Sequence, residues 1–356
     1  MALADRALVV GINRYPGISA LSGAENDAKD FYDWVTDPAG GRVRPPEALL
    51  IRSSDFPSPS GPDFARPAKE QIEQFFTDID NCADTNNADG SGAGLRAGKR
   101  LWLFFSGHGF APSLDRSGVL MANATLKRAH NISVMLWANR LYEGGWFDEV
   151  VLFQDACRNR MGDAELAPPF LTPRLAPVGQ ERRRFYAFSA KDRKLSKELP
   201  FPNGTVRGVF TTTLLQGLRG PARDPNTGAI TTAQLKGYLQ DNMRKLLSEA
   251  DLQDDEIAKM PEVFDPDPFV IVPAPPAPAL TDFPVRIALP HAGVAAQVEN
   301  ANLQPVAAAN PAPESWTLRL PRGLYRLVVQ GVGESPFQVT GAVMLDGSAG
   351  EVNVHL

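Results

Sequence analysis

The chain has 356 residues and a formal net charge of −5, with 43% hydrophobic and 22% charged residues. This is the composition of a soluble globular protein, long enough for one large domain plus a second unit, and no overall basic field points to a nucleic-acid partner. Two Cys and four His make neither a disulfide scaffold nor a zinc pattern, and no run approaches the roughly 18 apolar residues of a membrane helix.

The opening "MALADRALVVGINRY" has a short apolar run without the basic flank or cleavage site of a signal peptide. The expectation is a cytoplasmic protein with no membrane partner. Residues 7–11 ("ALVVG") read as a strand buried on both faces. Residues 23–35 read as a helix with Phe31, Trp34 and Val35 on one side, and 48–51 as a second strand. Residues 68–79 have helical spacing through Ile72, Phe75, Phe76 and Ile79. The Asn-, Asp- and Gly-rich stretch 81–100 after them reads as a loop. Strands are expected at 101–105 and 150–153, with a helix over 132–142 between them. Residues 158–184 are rich in Pro and Arg and lack periodicity. A strand at 185–188, helices at 209–218 and 232–247, and a last strand at 269–272 follow. Alternating strands and helices predict an α/β unit with a mostly parallel central sheet flanked by helices.

"PAPPAPAL" at 273–280 has the composition of a semi-rigid polyproline linker. Beyond it, "SWTLRLPRGLYRLVVQG" and "GEVNVHL" alternate apolar and polar residues between turn signals, which predicts a small all-β sandwich. The expected division is 1–273, a linker at 274–282, and 283–356. No ligand cluster is visible in the tail, so its expected role is to engage a regulatory protein partner.

The chemistry concentrates at two strand ends, "LWLFFSGHG" (101–109) and "VLFQDACRN" (151–159). In open parallel sheets, sites form beyond the carboxyl ends of the strands, so His108 and Cys157 project into one crevice if the two strands are neighbours. A thiol needs a base to become a good nucleophile, and imidazole supplies one. The backbone N–H groups of Gly109 and Cys157 are candidate oxyanion donors. Taken alone, Cys157 also fits a buried small hydrophobe. Cys82, His130, His291 and His355 have no comparable setting.

The pair resembles the caspase signature Q-A-C-[RQG]-G, whose His lies about 50 residues upstream of the Cys. The opening "GINRYPGISALSGAENDA" is similar to the start of metacaspase-type domains, and "GVFTTTLLQGL" (208–218) resembles their F-T-x-x-L-L helix. The resemblance covers about 1–273 and none of the tail. It implies a three-layer caspase-like fold and a bacterial thiol endopeptidase acting on protein or peptide substrates. Cys157 would be the nucleophile and His108 the base, with a thioester intermediate.

The same resemblance implies an S1 pocket of Asp155, Asp27 and Ser106, which favours Arg, and Lys more weakly, at P1. Arg158 follows the Cys and is a candidate to neutralise Asp155. The segment 158–184 corresponds to the caspase inter-subunit linker, so Arg174, Arg182, Arg183 and Arg184 are candidate processing sites in a zymogen. No cofactor or metal is expected. Calcium activation, which many metacaspases require, has a candidate only in "DIDNCADTNNADG" (78–90), whose spacing does not fit an EF-hand. The competing reading is a catalytically silent scaffold that works through the β tail in a signalling or defence complex.

Overall fold

In chain order the first part of the protein contains β1 (Arg6–Gly11), α1 (Ala24–Thr36), β2 (Ala48–Arg52), α2 (Lys69–Ala88), β3 (Gly98–Ser106), β4 (Gly109–Ser113), β5 (Arg116–Leu120), β6 (Asn131–Ile132), α3 (Val134–Glu143), β7 (Phe147–Asp155), β8 (Arg183–Phe188), β9 (Glu198–Pro200), β10 (Val206–Gly208), α4 (Val209–Leu218), β11 (Ile230–Thr231), α5 (Thr232–Asn242), α6 (Glu249–Gln253), β12 (Glu262–Phe264) and β13 (Val270–Val272). The computed structural model describes residues 3–88, 95–113, 116–161, 164–201, 204–225, 227–274, 283–321, 323–339 and 352–355. It divides into two units, Met1–Ala274 and Pro275–Leu356.

A six-stranded sheet in the order β12-β8-β7-β3-β1-β2 forms the middle of the first unit. Five strands are parallel, and β12 closes one edge antiparallel to β8. Side chains alternate between its faces. Leu8, Val10, Leu101, Leu103, Phe105, Val150 and Leu152 enter one core, with Ile72, Phe76 and Ile79 of α2 and Trp137 and Leu141 of α3. Ala7, Val9, Trp102, Phe104, Val151 and Phe153 enter the other, with Phe31 and Trp34 of α1, Phe210 and Leu214 of α4, and Leu235 and Leu239 of α5. A parallel sheet covered on both faces needs such continuous apolar strands. The result is a three-layer α/β architecture. Aromatic stacks hold both layers: Phe31 lies on Phe104 at 4.5 Å, and Phe76 on Trp137 at 4.0 Å.

Several sequence expectations change. Helix α2 continues to Ala88, well into the stretch read as a loop. Ala83 carries the apolar stripe on from Ile79 into the core. Asp80 accepts a hydrogen bond from Trp146 Nε1 at 2.9 Å, and Asn86 donates to the Arg96 carbonyl at 2.8 Å. These tertiary contacts outweigh the local preference of Asn and Asp for turns. Residues 89 and 90 of the acidic stretch lie outside the described residues. The expected helix 232–247 divides into α5 and a 3₁₀ turn at Met243–Leu246. The strand expected at 269–272 pairs with β11 in a two-stranded sheet, and the edge of the main sheet is β12 instead. Strand β8 begins at Arg183, inside the segment read as irregular. Residues 275–282 of the expected linker lie outside the described residues.

The second unit holds β14 (Phe283–Ala288), β15 (Ala296–Asn300), β16 (Pro305–Ala309), β17 (Ser315–Leu320), β18 (Gly323–Val329), β19 (Gly333–Val339) and β20 (Val352–His355). They form two sheets, β17-β14-β20 and β16-β15-β18-β19. Val285, Ile287, Val298, Leu327 and Val329 from the two sheets share one core, as in a sandwich. No helix among the described residues is long and apolar enough to cross a membrane.

Phe104 is fully buried and stacked on Phe31. Phe104→Ala is expected to lower stability by about 3–5 kcal/mol, read from chemical denaturation of the full chain.

Candidate active site

The chain leaves β1 toward β2 on one side of the sheet and returns to β3 on the other, so the strand order reverses at β1. A crevice opens at the carboxyl ends beside such a switch. Register then fixes what lines it. Gly11 pairs with Ser106, and Ser106 with Asp155. The Gly107 N–H donates to the Asp155 carbonyl at 3.2 Å. His108 and Cys157 therefore stand equally far along the chain past the ends of adjacent strands. Both line one cleft of about 70 Å³, together with Asp27, Ser106, Asp155 and Glu198.

The loop after β1 holds the imidazole. His108 Nε2 is 2.8 Å from the Ser19 carbonyl oxygen. A carbonyl only accepts, so Nε2 carries the proton, and in the neutral ring Nδ1 keeps the lone pair. The ring packs against Tyr15 at 4.8 Å. Burial pushes the Cys157 thiol up, opposed by a hydrogen bond from the Ser196 N–H and reinforced by the charges of Asp155 and Glu198. A thiol held protonated in this way depends on a base to react.

Gly109 has no room for a side chain. A Cβ there would lie 2.7 Å from both Ala156 Cβ and the Cys157 carbonyl oxygen. Leu120 N donates to the His108 carbonyl at 2.8 Å, so Gly109 and Val119 face each other as a non-hydrogen-bonded pair of the β4–β5 ladder. The Gly109 N–H therefore points away from β5.

Asp27 and Asp155 are 1% and 5% exposed. Asp27 accepts from Ser106 Oγ at 3.1 Å and from the Gly208 N–H at 3.0 Å. Asp155 accepts from Ser196 Oγ at 2.5 Å, Thr211 Oγ1 at 2.7 Å and Thr211 N at 3.1 Å. Burial raises both carboxyls, and for Asp27 the neighbouring Asp155 charge adds to it. Gly208 is wedged between them: a Cβ there would lie 2.1 Å from Asp155 Oδ2 and 3.0 Å from Asp27 Oδ2. Glu198 brings a third carboxylate, held by the Gly23 N–H at 2.9 Å and the Ser22 N–H at 3.2 Å at the start of α1. Among the described residues, no Lys or Arg lines this cleft. Arg158 does not neutralise it: the buried guanidinium pairs with Glu262 of β12 at 2.5 Å and lies over the Phe188 ring at 4.7 Å.

The candidate processing arginines lie outside the cleft. Arg183 and Arg184 belong to β8, paired with β7, so the loop reading is corrected for them. Arg182 donates to the Tyr142 carbonyl at 2.6 Å. Arg174 lies over the Trp146 ring at 3.3 Å, while the next residue, Leu175, is 88% exposed.

Sequence reasoning missed Ser19 and Glu198. A backbone carbonyl has no sequence signature. Glu198 lies in "KELP", without a motif, and reaches the cleft through the β9–β10 hairpin.

A thiol and an imidazole thus stand at neighbouring strand tips of a three-layer α/β sheet, beside an acidic cleft. The chain belongs to the caspase domain family, which matches residues 4–264. It is 29% identical over 229 residues to a probable protease of a Desulfuromonadales bacterium, a match covering 60% of this chain and 26% of that protein. The chain thus spans about a quarter of that relative's length. The crystal structure of caspase-1 from Spodoptera frugiperda aligns with 12% identity over 78% of this chain and 94% of that one, at a TM-score of 0.47.

The raised Asp27 carboxyl makes stability depend on pH. Its folded value exceeds the unfolded value of about 3.9, so unfolding releases a proton between the two. Stability is therefore lost as pH rises through that window, and the loss persists above it. Asp27→Asn is expected to melt at higher temperature than the parent at pH 7, with the difference disappearing below about pH 4, as read from thermal melts at both pH values.

Proposed function

We propose that this protein is an endopeptidase that cleaves protein substrates after basic residues, arginine before lysine. The observation that carries this reading is the set of three carboxylates, Asp27, Asp155 and Glu198, beside Cys157 in a cleft that no Lys or Arg lines among the described residues. A guanidinium offers a planar fork that matches carboxylates in two-point hydrogen bonds, and an ammonium does not. The positive charge of a P1 side chain also offsets the repulsion between the buried carboxylates.

In the proposed reaction His108 takes the Cys157 proton at Nδ1, and the thiolate attacks the scissile carbonyl carbon. The Gly109 and Cys157 N–H groups receive the developing oxyanion. His108 then protonates the leaving amine. Water, deprotonated by the same imidazole, hydrolyses the thioester and restores the thiol. The Ser19 carbonyl stabilises the imidazolium through Nε2–H, in the place where other such sites use a carboxylate side chain.

A fluorogenic peptide panel tests the reading. Arg at P1 is expected to be cleaved best, Lys more slowly, and Asp or Leu not detectably. Cys157→Ala is expected to abolish all cleavage. Preference for an acidic or aliphatic P1 would overturn it.

Processing is proposed only for the bond after Arg174. The exposure of Leu175 supports it, whereas Arg183 and Arg184 lie in β8, paired with β7. Mass spectrometry of the purified protein is expected to find a cut after residue 174 that Cys157→Ala lacks. The same cut in the mutant would assign it to another protease.

A further inference from the structure

The turn "GINRY" after β1 contributes no side chain to the proposed chemistry, yet Tyr15 is 2% exposed and stands against the imidazole. Its hydroxyl does two things. It accepts a hydrogen bond from the His108 backbone N–H at 3.0 Å and donates one to the Leu120 carbonyl at 3.3 Å. The first contact fixes the main chain at the base. The second anchors that hydroxyl to β5, whose Leu120 N–H in turn donates to the His108 carbonyl. The backbone N–H and carbonyl of His108 are thus both held by groups tied to one residue of β5. The ring of Tyr15 then limits the rotation of the imidazole from one face.

The neighbouring glycine records how tight this is. A Cβ at Gly107 would sit 2.6 Å from the Tyr15 hydroxyl oxygen, well inside van der Waals contact. The hydroxyl therefore occupies the space that a side chain at 107 would need. Burial also raises the Tyr15 phenol, so it remains an O–H donor at any working pH.

The same loop offers the Ser19 carbonyl to Nε2. Residues 15 and 19 of one loop therefore meet the backbone, one ring face and one ring nitrogen of His108. Asn13, the third residue of the turn, ties this loop to the next helix: its Oδ1 accepts the Glu25 N–H in the first turn of α1 at 3.2 Å. Two further donors, the backbone N–H groups of Asn13 and Arg14, reach Ser53 Oγ at 3.1 and 3.0 Å. The loop is thus fixed at several points and can act as a rigid jig.

We propose that Tyr15 is the positioning residue of His108, fixing its main chain and one ring face so that Nε2–H stays on the Ser19 carbonyl and Nδ1 is left as the proton acceptor. This rests on the proposed role of His108 as the base. Tyr15 acts through His108 and touches no reacting atom. Its loss should lower turnover while leaving the acidic cleft, and so substrate binding, as it is.

Two readouts on the full chain test it. Tyr15→Phe keeps the ring and removes the hydroxyl. It is expected to lower kcat about tenfold to a hundredfold for an Arg substrate, with KM within about twofold. Tyr15→Leu, which also removes the ring, is expected to fall further. In protein labelled with ¹⁵N at His, and assigned with His108→Gln, the parent is expected to show the Nε2–H tautomer for residue 108 and Tyr15→Phe a mixture. An unchanged tautomer, or an unchanged kcat with raised KM, would overturn the proposal. If the parent itself shows no Cys157-dependent cleavage, the peptidase reading falls, while the tautomer spectra still decide whether Tyr15 holds the ring.

Discussion

The parallel pairing of β3 with β7 is the constraint on which the rest depends. Its register runs from Gly98 opposite Phe147 to Ser106 opposite Asp155. A slip of one residue would turn every side chain to the other face. Either Phe104 or Phe153 would leave the α1 layer, and the two strand tips would no longer end side by side. Because both faces are buried in aromatic and aliphatic cores, the cost of such a slip falls on the whole sheet. The site inherits its geometry from packing that has nothing to do with chemistry.

Electrostatics work in the opposite direction. Asp27 and Asp155 are buried close to one another, and their charged forms are disfavoured by desolvation. Hydrogen bonds from Ser106, Gly208, Ser196 and Thr211 reduce that penalty without removing it. Such an arrangement weakens the protein, and a cation placed between the carboxylates would relieve it. Arg158 is the cation nearest in sequence to Asp155, and its commitment to Glu262 keeps the cleft acidic.

Much of this was legible in the sequence, for physical reasons that can be named. Residues 7–11, 101–105 and 150–153 read as buried strands because they are apolar on both faces, and the last two lead to the imidazole and the thiol. The Asp27 and Asp155 positions followed from motif resemblance, and they meet in space through β3 and the Gly208 amide. The Ser19 carbonyl and the Tyr15 hydroxyl were not legible, because one is main chain and the other acts on main chain. Helix α2 ran past its apparent end because Ala83 packs in the core and Asp80 and Asn86 found distant partners. Strand β12, three residues long, is defined by its pairing with β8 more than by its own composition.

At Gly208 the backbone N–H binds one carboxylate, and the space where a Cβ would stand is already taken by an oxygen of the other. The floor of the cleft is therefore a peptide group, and no side chain can be added there to make it shallower or to line it with a different polarity. Mutational drift has few routes through this wall. A change in the charge of this cleft would have to come from replacing the acids themselves, and with them the partner that now joins α1 to the β9–β10 hairpin.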